Sequence, residues 1–223
     1  SNQVVLGIIS GTAVVAVYAI GAQIYMSYMP LATIITNVFF PKVTQMAALH
    51  RPAEEFSALF IRIGRLQFLL VGLVLSGFIL FGQRFIHFWV GDDFSEAYWI
   101  ALFVIFPFTF DIIQNLGSTI MQAKNELGFR AKVGLITGLL NILFVVPAAM
   151  YFGGVYCAAV SGFLVFCGNC VAMDWYYWRV LELDIVSFWK NILKIGMWII
   201  VFMCLDILMN MLIQYSVLSS VRE

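Results

Sequence analysis

Charged side chains are scarce in this 223-residue chain: 12 Lys and Arg with 12 Asp and Glu make up 11% of it, against about a quarter in an ordinary soluble domain. Apolar residues make up 63%. A soluble fold of this size has no interior large enough to hide them, so that class is excluded. The formal net charge is zero and the basic residues form no stripe, so the footprint of a nucleic-acid binder is missing and nucleic acid is not an expected partner. There are four cysteines, Cys157, Cys167, Cys170 and Cys204, all inside apolar runs. Cys167 and Cys170 have CxxC spacing, but no second pair completes a zinc site. They are expected to be small buried side chains without redox or metal chemistry. The two histidines, His50 and His87, fall in opposite connections, no glycine-rich loop precedes a basic helix start, and no nucleophile has a base at useful spacing. Neither an enzyme nor a cofactor is expected. No initiator Met and no cleavable leader opens the chain at Ser1-Asn2-Gln3. Residues 1–10 read as the tail of a preceding, missing helix, and the whole reads as a piece of something longer.

What the chain does have is long apolar runs. A spanning helix needs about 20 mainly apolar residues, because the hydrocarbon core is about 30 Å thick and each helical residue rises about 1.5 Å. Six stretches qualify, at about 13–40, 60–81, 98–121, 133–151, 155–178 and 195–218. The expected fold is all-α and transmembrane, with residues 11–223 forming a six-helix bundle. Orientation follows from Lys and Arg, which stay on the cytoplasmic side. Lys42, Arg51, Arg62 and Arg65 flank the first connection, Lys124, Arg130 and Lys132 the third, and Arg179, Lys190 and Lys194 the fifth. Only Arg84 and Arg222 fall on the other side, where the fourth connection shrinks to Phe152-Gly153-Gly154. The basic side is therefore assigned to the cytoplasm. Aromatic clusters at Phe85 to Trp89 and at Trp175-Tyr176-Tyr177-Trp178 suit interface belts. Asp184 to Lys194 alternates at helical spacing and is expected to lie along the inner surface before the last span.

A charge at mid-membrane costs about 2.5–3.5 kcal/mol on insertion scales, so polar residues inside spans are where function is sought. Asp111, Gln114, Asn115, Ser118, Thr119 and Gln122 recur at steps of three and four and share one face of the third span. That stripe faces protein or water, either as the wall of a hydrated cavity or as helix-to-helix hydrogen bonding. Asp206 and Asn210 form a smaller pair in the last span, read as a contact to a neighbouring helix, and Asp174 is placed at the inner interface. Arg62 and Arg65 share a face early in the second span, where they either grip a phosphate or snorkel to headgroups. Gln23, Ser27, Pro30 and Asn37 fall near one face of the first span, with Pro30 expected to bend it. Asp92-Asp93 reads as a cap and solvated turn before the third span.

Several connections carry a resemblance. Leu6-Gly7 through Val17-Tyr18-Ala19-Ile20, Val38-Phe39-Phe40-Pro41-Lys42, Ile61-Arg62-Ile63-Gly64-Arg65, Phe88-Trp89-Val90-Gly91-Asp92-Asp93-Phe94, Asn115 with Gln122-Ala123-Lys124, and Tyr151-Phe152-Gly153-Gly154-Val155 with Ala158-Ala159-Val160-Ser161 occur in order. In that order and spacing the chain resembles the C-terminal half of the Wzx-like polysaccharide flippases, relatives of the multidrug and toxin extrusion transporters. The resemblance implies one bundle of a two-bundle, MATE-like transporter in the bacterial cytoplasmic membrane, moving a polyprenyl-pyrophosphate-linked oligosaccharide outward. It implies a substrate cavity lined by Arg62, Arg65, Asp111, Gln114 and Asn115, with Asp111 as the candidate for cation coupling. The lipid bilayer, the lipid-linked oligosaccharide and a missing N-terminal bundle or second chain are the implied partners. A cation-coupled drug extruder, a peptidoglycan-precursor flippase and a non-transporting membrane assembly protein are the alternatives.

Overall fold

The computed structural model describes residues 2–9, 11–151 and 153–220. Its helices are α1 (Asn2–Ile9), α2 (Thr12–Ala48), α3 (Ala53–Val90), α4 (Glu96–Ile113), α5 (Asn115–Ala123), α6 (Gly128–Tyr151), α7 (Gly154–Val165), α8 (Met173–Arg179) and α9 (Ile185–Ser220). A short 3₁₀ turn, Asp92–Phe94, precedes α4, and a π-helical stretch, Phe166–Ala172, joins α7 to α8. Among the described residues no strand occurs, and six helical stretches are long and apolar enough to cross a membrane. The fold is an all-α transmembrane bundle. Helices overrun the apolar windows: α3 has 38 residues, about 57 Å at ~1.5 Å each, well beyond a ~30 Å hydrocarbon core. Hydropathy marks where lipid stops, whereas helix continues for as long as backbone hydrogen bonds and local propensity favour it.

α4 is the middle of the bundle, packed against α2, α3 and α7. With no hydrophobic drive between helices in lipid, such contacts depend on close approach and shared hydrogen bonds. Glycines supply the approach. A methyl on Gly21 of α2 would lie 2.8 Å from Ile100, and one on Gly162 of α7 would lie 2.9 Å from Pro107 and overlap the Phe103 carbonyl oxygen. Pro107 has no N–H, so the Phe103 carbonyl lacks its helical donor and its side of α4 is open for α7 to approach. Hydrogen bonds tie the same helices. The Tyr28 hydroxyl donates to the Val71 carbonyl (3.1 Å) and pairs with Thr109 Oγ1 (2.7 Å), joining α2, α3 and α4. Gln67 of α3 donates to the Ala32 carbonyl (3.0 Å) and to Thr36 Oγ1 (2.7 Å) of α2. Tyr28→Phe is expected to cost about 0.6–1.7 kcal/mol, the range for interhelical bonds in membranes, read by unfolding in mixed micelles.

The three basic connections meet at one end. Lys124 of the third lies over the Phe56 ring at the start of α3, 5.2 Å from its centroid. The Asp184 backbone N–H of the fifth donates to Ser57 Oγ at 3.1 Å. At the opposite end Gly154, which follows the turn at Gly153, sits against Val14 and Ile100. This convergence agrees with the alternation of Lys and Arg along the chain.

Two expectations at the basic end need correction. Asp184 to Lys194 is not a separate surface segment: it opens α9, which runs unbroken from Ile185. Asp184 caps that helix by accepting the Ser187 N–H at 2.9 Å. The bonds from Ser187 hold the Asp184 carboxyl below its ordinary range, so the cap is intact at neutral pH and is lost only as pH falls through that lowered value. Phe188 and Ile192, one turn apart, are fully buried. Nor is Tyr177 a belt residue. Trp175 and Trp178 face outward, but Tyr177 is buried, edge-on to Phe60, which stacks on Phe188 at 4.5 Å. Gly117 makes room for the Tyr177 ring and Gly64 for Phe188. Four aromatic positions in a row imitate a belt, but helical rotation sends the third inward.

Candidate functional site

The third span is broken at its polar stripe. α4 stops at Ile113 and α5 starts at Asn115, while Gln114 between them takes φ −94° and ψ 1°. Facing the break is the π-helical stretch Phe166–Ala172, itself an interruption of the fifth span. Irregular backbone at membrane depth persists only where protein or water satisfies it, and π-bulges gather at functional sites. Gln114 is buried and its Nε2 donates to Cys170 Sγ at 3.2 Å, whereas its Oε1 is buried with no partner among the described residues. Asp111, half-buried, is hydrogen-bonded by Asn169 and lies within electrostatic reach of Arg130. Asn115 is half-buried, with its carbonyl accepting from Thr119 Oγ1 at 3.3 Å. Ser118 pairs with the Tyr177 hydroxyl at 3.2 Å, and Gln122 is exposed. Gln114 and Ser118 are thus engaged in helix-to-helix bonding, and the structure brings Asp111 and Gln114 together at Cys170 in one polar junction, with Asn115 next in the chain. Asn169 and Cys170 complete it. Sequence spacing gave no sign of them, because the π-helical turn changes which residues share a face.

Arg62 and Arg65 lie elsewhere, both exposed on α3. Arg62 lines a groove of about 470 Å³ at the basic end of the α2–α3 hairpin, together with Lys42, Gln45, Arg51 and Glu55. Three cations face one carboxylate, and Glu55 meets Arg51 at 3.5 Å with both side chains about half exposed, a contact worth little in water. The groove therefore keeps a surplus of positive charge. Arg65, one turn on, does not line it. Lys42 and Arg51 were legible as residues of the same basic connection but not as groove partners of Arg62, since only the hairpin aligns positions twenty residues apart.

The polar face of α2 is uncovered. Gln23, Ser27, Pro30 and Asn37 are all exposed, and α2 stays helical through Pro30. Ser27 Oγ is satisfied locally by the Gln23 carbonyl at 3.1 Å. Asp174 holds α9 in place by accepting from Trp189 Nε1 at 2.7 Å. Asp206 lines a groove beside Ser76 and Gly77 of α3, in keeping with a contact to a neighbouring helix, while the Asn210 side chain lies outside the described residues. Arg222 and Phe152 lie outside them as well. Asp92 bonds to His87 instead of capping α4, whose N-terminal residue, Ser95, makes no side-chain cap either. Of the cysteines, Cys157 and Cys170 are buried, but Cys167 and Cys204 are exposed on the bundle's outer surface, contrary to expectation. In membrane helices an apolar run contains lipid-facing as well as core positions, so hydropathy does not separate them. Compared with protein-family models, with curated proteins and with solved structures, the chain matches none.

Proposed function

We propose that this chain is one bundle of a two-bundle exporter that moves a polyprenyl-pyrophosphate-linked oligosaccharide from the inner to the outer face of a bacterial cytoplasmic membrane by alternating access. The observation that carries the transport reading is the junction of two interrupted helices around Asp111. Interrupted helices that face each other at membrane depth serve ion and substrate sites in secondary transporters. The Asp111 carboxylate and the unpartnered Gln114 Oε1 are hard oxygens suited to a coupling cation or proton. The substrate class rests on the family resemblance and on the groove of Lys42, Arg51 and Arg62, whose guanidinium forks match a pyrophosphate and are weakly hydrated enough to receive it. The uncovered polar face of α2 suits a cavity wall turned toward a second bundle.

The test is genetic. Loss of the chain in its native host is expected to trap lipid-linked oligosaccharide on the inner leaflet, and the wild-type gene restores surface polysaccharide. Arg62→Ala with Arg65→Ala is expected to weaken restoration by about tenfold, the loss of one hydrogen-bonded charge contact. Unchanged surface polysaccharide after deletion would point to a drug exporter or an assembly protein instead.

A further inference from the structure

A second groove, of about 790 Å³, runs between α3, α4 and α9. It is lined from Trp189 to Met203 of α9, about 21 Å along the axis at ~1.5 Å per residue. That equals the depth of one leaflet with its headgroups, about half of a ~40–45 Å bilayer. Its wall is apolar: Phe68, Leu75, Phe106, Phe110 and the facing aliphatic side chains of α9. The few neutral polar groups in the wall are already engaged. Ser76 Oγ donates to the Leu73 carbonyl at 2.8 Å, Thr109 Oγ1 to the Ile105 carbonyl at 2.8 Å, and Trp189 Nε1 to Asp174. The groove thus offers nothing to a sugar or a peptide backbone.

Its two charges sit at one end. Lys190 and Lys194, four residues apart on one face of α9, line the mouth nearest the inner connections, and no acidic residue lines the groove. Asp184 lies within electrostatic reach of Lys190 but is exposed beyond the groove. A long apolar slot, one leaflet deep and closed at its inner mouth by two ammonium groups, has the charge and shape of an anionic lipid.

We propose that this groove is a binding site for an anionic phospholipid of the inner leaflet, with one acyl chain along α9 and its phosphate held by Lys190 and Lys194. The site is separate from the Asp111 junction and from the Arg62 groove, and it stands whether or not the chain is an exporter. The bound lipid fills the space between α4 and α9, which otherwise touches the bundle chiefly through α3.

Native mass spectrometry of the purified chain, titrated in micelles with dioleoyl-phosphatidylglycerol, dioleoyl-phosphatidylcholine or a polyprenyl phosphate, tests this. The wild type is expected to retain phosphatidylglycerol over phosphatidylcholine by about twenty-five-fold, about fivefold per lysine, and Lys190→Gln with Lys194→Gln to abolish that preference. Gly196→Leu, at a position whose first added carbon meets Phe68 at an ordinary 3.6 Å, is expected to weaken both phospholipids. The lysine pair is exposed, so its exchange leaves folding intact even where the glycine variant does not fold. Equal retention of the two phospholipids by the wild type, a preference unchanged in the lysine variant, displacement by the polyprenyl phosphate, or a lipid-free dimer would each overturn the assignment.

Discussion

Asp111→Asn is expected to lower export by at least about tenfold while leaving protein level and helix content unchanged. The amide keeps the shape of the side chain and its pairing with Asn169, so the bundle has little reason to unfold. What is lost is the negative charge beside the helix break. Bonds to a charged group are worth about 1.5–3 kcal/mol, and ~1.4 kcal/mol is a factor of ten in occupancy. Surface polysaccharide normalised to membrane-inserted protein reads the effect. Asp111→Glu retains the charge and is expected to fall between the two. Should all three proteins export equally, Asp111 would be a packing residue and the coupling assignment would be lost.

Gly162→Val is expected to produce the largest loss of stability of any single change in the bundle, above about 3 kcal/mol, because overpacking a tight contact costs ~1–3 kcal/mol even where side chains are able to move. Here the opposing atoms are the Phe103 carbonyl and the Pro107 ring, neither of which has a rotamer to change. Gly72→Ala makes the contrast. A methyl there would lie 2.9 Å from Ile199 Cδ1, the free end of a side chain that turns aside at small cost. Gly134→Ala on α6, with no atom within 4 Å of the added carbon, is expected to be neutral or stabilising by a few tenths of a kcal/mol. Thermal unfolding of the three variants in one detergent ranks them, and a Gly162 variant no worse than Gly134→Ala would mean that α4 and α7 do not pack as described.

The six spans and the gathering of Lys and Arg at one end were legible because they depend on two coarse signals, apolar length and the alternation of basic connections. Both are one-dimensional. The positions that escaped are set by rotation and register. Tyr177 sits among three exposed or half-exposed aromatics and yet closes the inner core, because its ring fits over Gly117. α9 begins ten residues before its apolar window, since Phe188 and Ile192 of its first turns pack on α3 and α8 inside the bundle. The candidate site was half visible. Asp111, Gln114 and Asn115 announced themselves as polar residues in an apolar run, whereas Asn169 and Cys170 reach them only through a π-helical turn that ordinary three-and-four spacing does not describe. Arg62 was visible as a cation, but its companions Lys42 and Arg51 come from the other arm of a hairpin.

The exporter reading is tested most directly by moving substrate across a bilayer of known sidedness. Proteoliposomes holding the chain together with the proposed second bundle, loaded with a fluorescent lipid-linked oligosaccharide in one leaflet, allow transfer to be followed by an enzyme or quencher confined to the other side. Transfer is expected with the wild type and an imposed ion gradient, and to fall by at least about tenfold with Asp111→Asn and by about tenfold with Arg62→Ala plus Arg65→Ala. Transfer at the protein-free rate by the wild type, with its helices intact and the gradient present, would contradict it.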